Sequence, residues 1–248
     1  MAGFRGVKAA LAPVLADTSP DWSLEAVWSV WDGAVPGMEA VGPLFAFLSA
    51  GETAKWHAVA ALGQVTGRMA GRMAEGEGIA QAREVVRRLM WRLNEDSGNL
   101  GWGGAEAMGE ILAVTPSLAA EYSRILFSYV RDTGHADNFL DHAPLRAGAY
   151  WGIGRLAAAY APSREEAEPL LLRGLADESP CCRAVSAWGV GKLAAAGAFA
   201  TDGGKEAAQA ALASTPRAGV SCALLDGIRV REEEDAGYIL EALAALNR

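Results

Sequence analysis

The chain has 248 residues, 51% hydrophobic and 21% charged, with 30 acidic against 22 basic side chains and a net charge of −8. Such a composition can bury a sizeable core and excludes the disordered class. With a pI near 5.0, it also argues against nonspecific binding to nucleic acid or anionic membrane, both of which need a cationic surface.

Residues 4 to 16 and 22 to 32 read as a first helix pair split at Thr18-Ser19-Pro20, with Trp28 and Trp31 on one face of the second helix. The Ala9 to Ala16 run behind Arg5 and Lys8 is too short, and too interrupted by Pro13, to be a signal peptide. A second pair occupies 37 to 50 and 53 to 70, and a Gly/Glu-rich hinge follows from Gly71 to Gly78. Residues 79 to 93 carry an i, i+3, i+4 stripe of Val85, Val86, Leu89, Met90 and Leu93. A polar turn, 94 to 99, precedes the partner helix.

Thr115-Pro116 has the N-cap and N1 pattern of a helix start. A loop from Gly134 to Ala143 holds His135, Asn138 and His142. Ser163 with Glu166 reads as a capping box opening 164 to 176, and Ser179-Pro180 starts the next helix. Thr215-Pro216 reads as one more helix start, and Glu232 to Asp235 as the acidic first turn of the last helix. No apolar run approaches the roughly 18 residues of a membrane helix. The whole is all-α, about six helix pairs in one domain over 1–248: a capping pair over 1–36, repeats over 37–230 and a capping helix over 231–248.

The pairs are repeats. Ala61-Leu62-Gly63, Ala107-Met108-Gly109, Gly152-Ile153-Gly154 and Gly189-Val190-Gly191 recur at 46, 45 and 37 residues, the period of stacked helix pairs. Cys222-Ala223-Leu224-Leu225-Asp226-Gly227 is a blurred fifth copy, as a terminal repeat facing water permits. Residues 177 to 193, Asp-Glu-Ser-Pro-Cys-Cys-Arg-Ala-Val-Ser-Ala-Trp-Gly-Val-Gly-Lys-Leu, resemble the turn and second helix of a HEAT-like repeat of the phycobilisome-lyase type. Pro43 and Pro169 are similar to the proline that kinks many HEAT first helices. The resemblance covers roughly residues 37 to 230 and implies a right-handed α-α superhelix, a HEAT-like solenoid whose second helices line the inner curve.

Counted from each glycine, positions −7, −3 and +1 cluster on one side of the helix, at about 100° per residue, away from the small and apolar positions. They hold Trp56, Ala60 and Gln64; Trp102, Glu106 and Glu110; Ala147, Trp151 and Arg155; Ala184, Trp188 and Lys192. On an inner curve these make a concave surface with an aromatic ladder, acidic in the middle and basic toward the C-terminal half, the composition of recognition surfaces. The competing reading has the tryptophans filling gaps between successive second helices. Glu106 and Glu110, like charges one turn apart, ask for a counter-charge from Arg155, Arg146 or a ligand cation.

Catalytic patterns are weak. His57, His135 and His142 lack the His-Glu pairs of HEAT-like di-iron hydroxylases, so no metal is expected. His142 with Asp141 and Glu106 can be drawn as an acid-base group, but a loop histidine is more often solvated. Gly98 to Gly104 lacks the strand and lysine of a phosphate loop. Three cysteines, with Cys181 and Cys182 adjacent, form neither a zinc pair nor an even disulfide framework, which reads as buried thiols in a reducing cytoplasm.

The expectation is a cytoplasmic, non-catalytic scaffold without cofactor that binds a protein or peptide. The contact residues are Trp56, Trp102, Glu106, Glu110, His142, Arg146, Trp151, Arg155, Trp188 and Lys192. The alternative is a HEAT-like enzyme or cofactor-maturation protein, DNA-lesion glycosylase-like or bilin-lyase-like, with a pocket near Trp102, Glu106, Arg146 and Trp151. Such a glycosylase groove needs many more cations than this chain offers.

Overall fold

The structure is a computed structural model, and it describes all residues except 1–2, 72–75, 96–100, 135–137 and 202. Most of the turn expected over 94–99, half of the hinge at 71–78 and all of His135 fall outside the described residues. Twelve helices are described, and they alternate as the repeat reading requires. First helices are α1 (Phe4–Leu15), α3 (Met38–Phe45), α5 (Glu77–Leu93), α7 (Pro116–Ser128), α9 (Arg164–Gly174) and α11 (Gly204–Ser214). Second helices are α2 (Leu24–Trp28, extended by a 3-10 turn at Ser29–Trp31), α4 (Glu52–Gly71), α6 (Gly104–Val114), α8 (Ala143–Ala159), α10 (Pro180–Ala195) and α12 (Asp235–Leu246). Among the described residues the fold is built almost wholly of such helix pairs, with one short two-stranded sheet.

The chain divides into two compact units, residues 1–115 with 225–231, and residues 116–224 with 232–248. In the first, α4 packs on α6, α5 and α3; in the second, α10 lies between α8 and α12 with α9 against it. A second helix in this position has neighbours on nearly every side. Trp56, His57, Ala58, Val59, Ala60, Ala61 and Leu62 are consecutively buried in α4, and the run from Cys182 to Val190 is buried in α10.

Glycine makes this closeness possible. A Cβ on Gly154 would lie 2.8 Å from the Cα of Gly189, so α8 and α10 meet backbone to backbone. On Gly63 it would strike Glu110 Cγ at 2.5 Å, which seats Glu110 against α4. The repeating glycine is therefore a contact residue between successive second helices, and side chains beside it are covered by the next repeat.

Three local expectations are corrected. Residues 221–234 form a two-stranded hairpin, β1 (Ser221–Asp226) with β2 (Arg229–Glu234), so neither the blurred fifth copy nor Thr215-Pro216 is helical and α12 starts only at Asp235. Gly227 and Ile228 turn the hairpin, with Gly227 at φ 67, a conformation that suits glycine. Asp235 is buried and accepts the N–H groups of Ala218, Gly219 and Val220 at 2.8, 2.9 and 3.3 Å. Burial would raise its carboxyl, but those N–H groups hold it below the ordinary value.

The capping box at Ser163 is absent: its hydroxyl donates to the Tyr160 carbonyl, and Glu166 instead accepts from Arg124 and Arg131, joining α7 to α9. The cysteines also differ from the expectation, because Cys181 is disulfide-bonded to Cys222 of β1. Cys182 remains a buried thiol, pushed up to about 12 chiefly by burial, and is therefore a poor nucleophile. A disulfide persists in oxidising surroundings, so the cysteines no longer support the cytoplasmic expectation. Among the described residues no helix is long and apolar enough to cross a membrane.

Candidate functional site

The position eight residues before each repeat glycine holds Lys55, Gly101, Arg146 and Arg183, and its cations are built into the fold. Arg146 donates through Nε and Nη2 to both Asp177 oxygens at 2.8 and 2.9 Å, and through Nη1 to the carbonyls of Leu140 and Asp141. Arg183 repeats the device one helix pair later, donating through Nη1 to the carbonyls of Asp177 and Glu178 and through Nε to that of Pro216. Burial pushes the Asp177 carboxyl up, but Arg146 and the Ser179 N–H outweigh it and hold the group low. Each arginine thus locks the turn that precedes its own helix.

In α4 the cation is Lys55. Its Nζ lies 2.8 Å from Glu52 and 3.6 Å from Glu106, and 4.6 Å above the Trp56 ring. Trp56 Nε1 donates to the same Glu52 oxygen at 3.2 Å. The counter-charge expected from Arg155, Arg146 or a ligand is therefore Lys55 in this unit. Burial still raises the Glu106 carboxyl, with Lys55 opposing it, and Glu106 Oε2 is buried with no hydrogen-bond partner among the described residues. Glu110 is buried beside Gly63, and Trp102 is half-buried next to Gly103, whose φ of 68 and approach to the Leu48 carbonyl exclude a side chain.

The exposed aromatic ladder is corrected. Trp56, Trp151 and Trp188 are 2%, 1% and 6% exposed, because the neighbouring repeat covers the face on which the periodicity places them. Trp151 and Trp188 stack with centroids 5.8 Å apart, directly over the Gly154–Gly189 contact. The basic members stay accessible: Arg155 and Lys192 are half-buried, and Lys192 Nζ lies 5.4 Å above the Trp188 ring. Trp188 also lines a narrow cleft between α10 and α12 with Lys192, Tyr238, Glu241 and Arg248. Its Nε1–H is buried without an acceptor among the described residues.

The remaining sequence candidates are structural or peripheral. His142 is the exposed N-cap of α8, its carbonyl accepting from Leu145 and Arg146 N–H. His57 stacks on Trp22 at 3.5 Å and donates from Nδ1 to the Leu15 carbonyl, and burial keeps it below its ordinary value. A cavity of about 510 Å³ beside Arg146 is lined by Phe139, Asp141, Tyr150, Arg173 and Asp177, and neither His142 nor Trp151 is among its lining residues. No group of three His, Cys, Asp or Glu side chains could hold a metal among the described residues.

Sequence reasoning took Arg146 for a partner contact and passed over Arg183, although the 37-residue step from Arg146 to Arg183 equals that from Gly154 to Gly191 and marks them as repeat positions.

No family model matches this chain. No curated protein matches it in sequence. Among solved structures it is similar to a designed armadillo repeat protein, with 17% identity and a TM-score of 0.46 over 98% of this chain and 92% of that one.

Proposed function

We propose that the protein is a non-catalytic repeat scaffold that binds a protein or peptide, and that the cleft between α10 and α12 is its principal contact in the second unit. The observation that carries the reading is Trp188, which lines that cleft and whose indole N–H is buried without an acceptor among the described residues. A buried donor left unmatched costs roughly 1–3 kcal/mol, and a carbonyl or carboxylate from a partner would remove that cost. Lys192 above the same ring adds a cation for an acidic or polar segment. In this reading Trp151 and Trp188 form a rigid floor and Arg155 and Lys192 the rim. In the first unit Trp102 and Glu52 are the accessible members of a second, acidic patch whose buried members are Trp56, Glu106 and Glu110.

The test is a peptide-display selection on the wild-type protein with Lys192→Glu as counter-target. Enriched peptides are expected to bind the wild type and to lose affinity for both Lys192→Glu and Trp188→Phe, which keeps a ring but removes the N–H. Equal binding to both variants, or no enrichment, refutes the cleft.

A further inference from the structure

At the first repeat, α1 and residues 30–39 enclose an open recess of about 620 Å³, a volume ordinary for small-molecule sites. Its wall is apolar and aromatic: Phe4, which is 54% exposed, Val7, Trp31 and Pro36 line it. The charged groups among its described lining residues are two carboxylates, Asp32 and Glu39. Glu39 Oε1 accepts the Gly37 N–H at 2.9 Å. The Asp32 carboxylate and the neighbouring Trp31 indole make no hydrogen bond or ion pair among the described residues.

The backbone at Asp32 is a further observation. Among the described residues it is the single non-glycine with positive φ, at 54°. Glycine takes that conformation without strain, and the very next residue, Gly33, does so at φ 80. An aspartate kept in a strained position, with its carboxylate unused by the fold and set beside a half-buried indole, has the marks of a ligand contact.

We infer that this recess binds a small organic cation with an apolar body, such as an arylalkyl amine, the ammonium placed between the Asp32 carboxylate and the Trp31 ring and the body against Phe4, Val7 and Pro36. The charge pair and the cation–π contact act on the same nitrogen. The site is distinct from the α10–α12 cleft and does not depend on that reading.

The test is titration calorimetry of the full chain with 2-phenylethylamine, beside 2-phenylethanol and phenylacetate as neutral and anionic matches. The amine is expected to bind saturably with 1:1 stoichiometry, and at least about fivefold more tightly than either match, a difference of roughly 1 kcal/mol. Asp32→Asn and Asp32→Gly should each weaken the amine about fivefold and leave the phenylethanol titration unchanged. Asp32→Gly should also raise the thermal midpoint or leave it in place, because it relieves the left-handed strain, so lost binding cannot be ascribed to lost folding. No saturable amine binding, equal binding of the neutral match, or full affinity in both Asp32 variants each overturns the inference.

Discussion

Arg146 holds four acceptor oxygens of three residues together with one planar fork, and its consequences are testable residue by residue. The Arg146 and Asp177 side chains are only 10% and 9% exposed, so truncating the arginine strands a largely buried carboxylate. Arg146→Ala should cost about 3–5 kcal/mol in urea unfolding, and Arg146→Lys should recover little, because an ammonium cannot reproduce the bidentate geometry. An Arg146→Ala variant within 1 kcal/mol of wild type, on the order of a surface pair, contradicts the assignment.

Two titrations set the pH dependence. His57 has its value lowered by burial, so the unfolded chain takes the proton first. That contribution is full above the unfolded value near 6.5 and declines as pH falls below it. Asp177 is also lowered, so its contribution is full above about 3.9 and is lost as pH falls through its folded value. Urea midpoints should therefore fall between about pH 6.5 and 5 in the wild type, and that step should vanish in His57→Phe, which keeps a ring against Trp22. A step of the same size in the variant assigns the decline to other groups.

At the scale of the elements, the glycine period made the helix pairs legible because both depend on one contact: a second helix cannot approach its neighbour at Gly154 and Gly189 with a side chain between them. Gly154→Ala should cost roughly 1–3 kcal/mol by overpacking, although alanine is the better helix former. The same contact explains what periodicity could not supply. A stripe opposite the nearest core residues is exposed only if nothing packs there, and in a stack the next repeat does. Trp151→Ala is therefore expected to cost about 3–5 kcal/mol, whereas loss of a surface aromatic would barely shift the urea midpoint.

The hairpin was hidden for another reason. Ser221 to Asp226 is a short apolar run that suits a helix or a strand equally, and only the Asp226-Gly227 turn signal favours the strand. Its bond to Cys181 joins residues 41 apart, a pairing that spacing alone does not announce. Removing it as Cys181→Ser with Cys222→Ser should lower stability by about 2–4 kcal/mol. Reductant should lower the wild-type midpoint by the same amount and leave the double variant unchanged; a reductant effect in both would place the change elsewhere.

For the whole molecule, composition sufficed for the helical class and the glycine spacing for the four central second helices, α4, α6, α8 and α10, while the first and last pairs carry no such copy. The candidate sites were less legible. The basic residues eight before Gly154 and Gly191 are fold devices, and their role depends on which carbonyls the turns present. Asp32 carries no motif, and only its backbone angle sets it apart. With a net charge of −8, the chain should show no salt-sensitive retention of duplex DNA at physiological ionic strength.

The central claim, that a polypeptide partner enters the α10–α12 cleft and takes up the orphaned indole proton, is tested most directly by the indole N–H resonances of ¹⁵N-labelled protein. Trp188→Phe identifies the signal among the eight tryptophans, and a selected peptide is then added. The account predicts that the Trp188 indole proton moves downfield to saturation as it gains an acceptor, and that Lys192→Glu abolishes the shift. A bound peptide that leaves this resonance in place, while moving others, would contradict it.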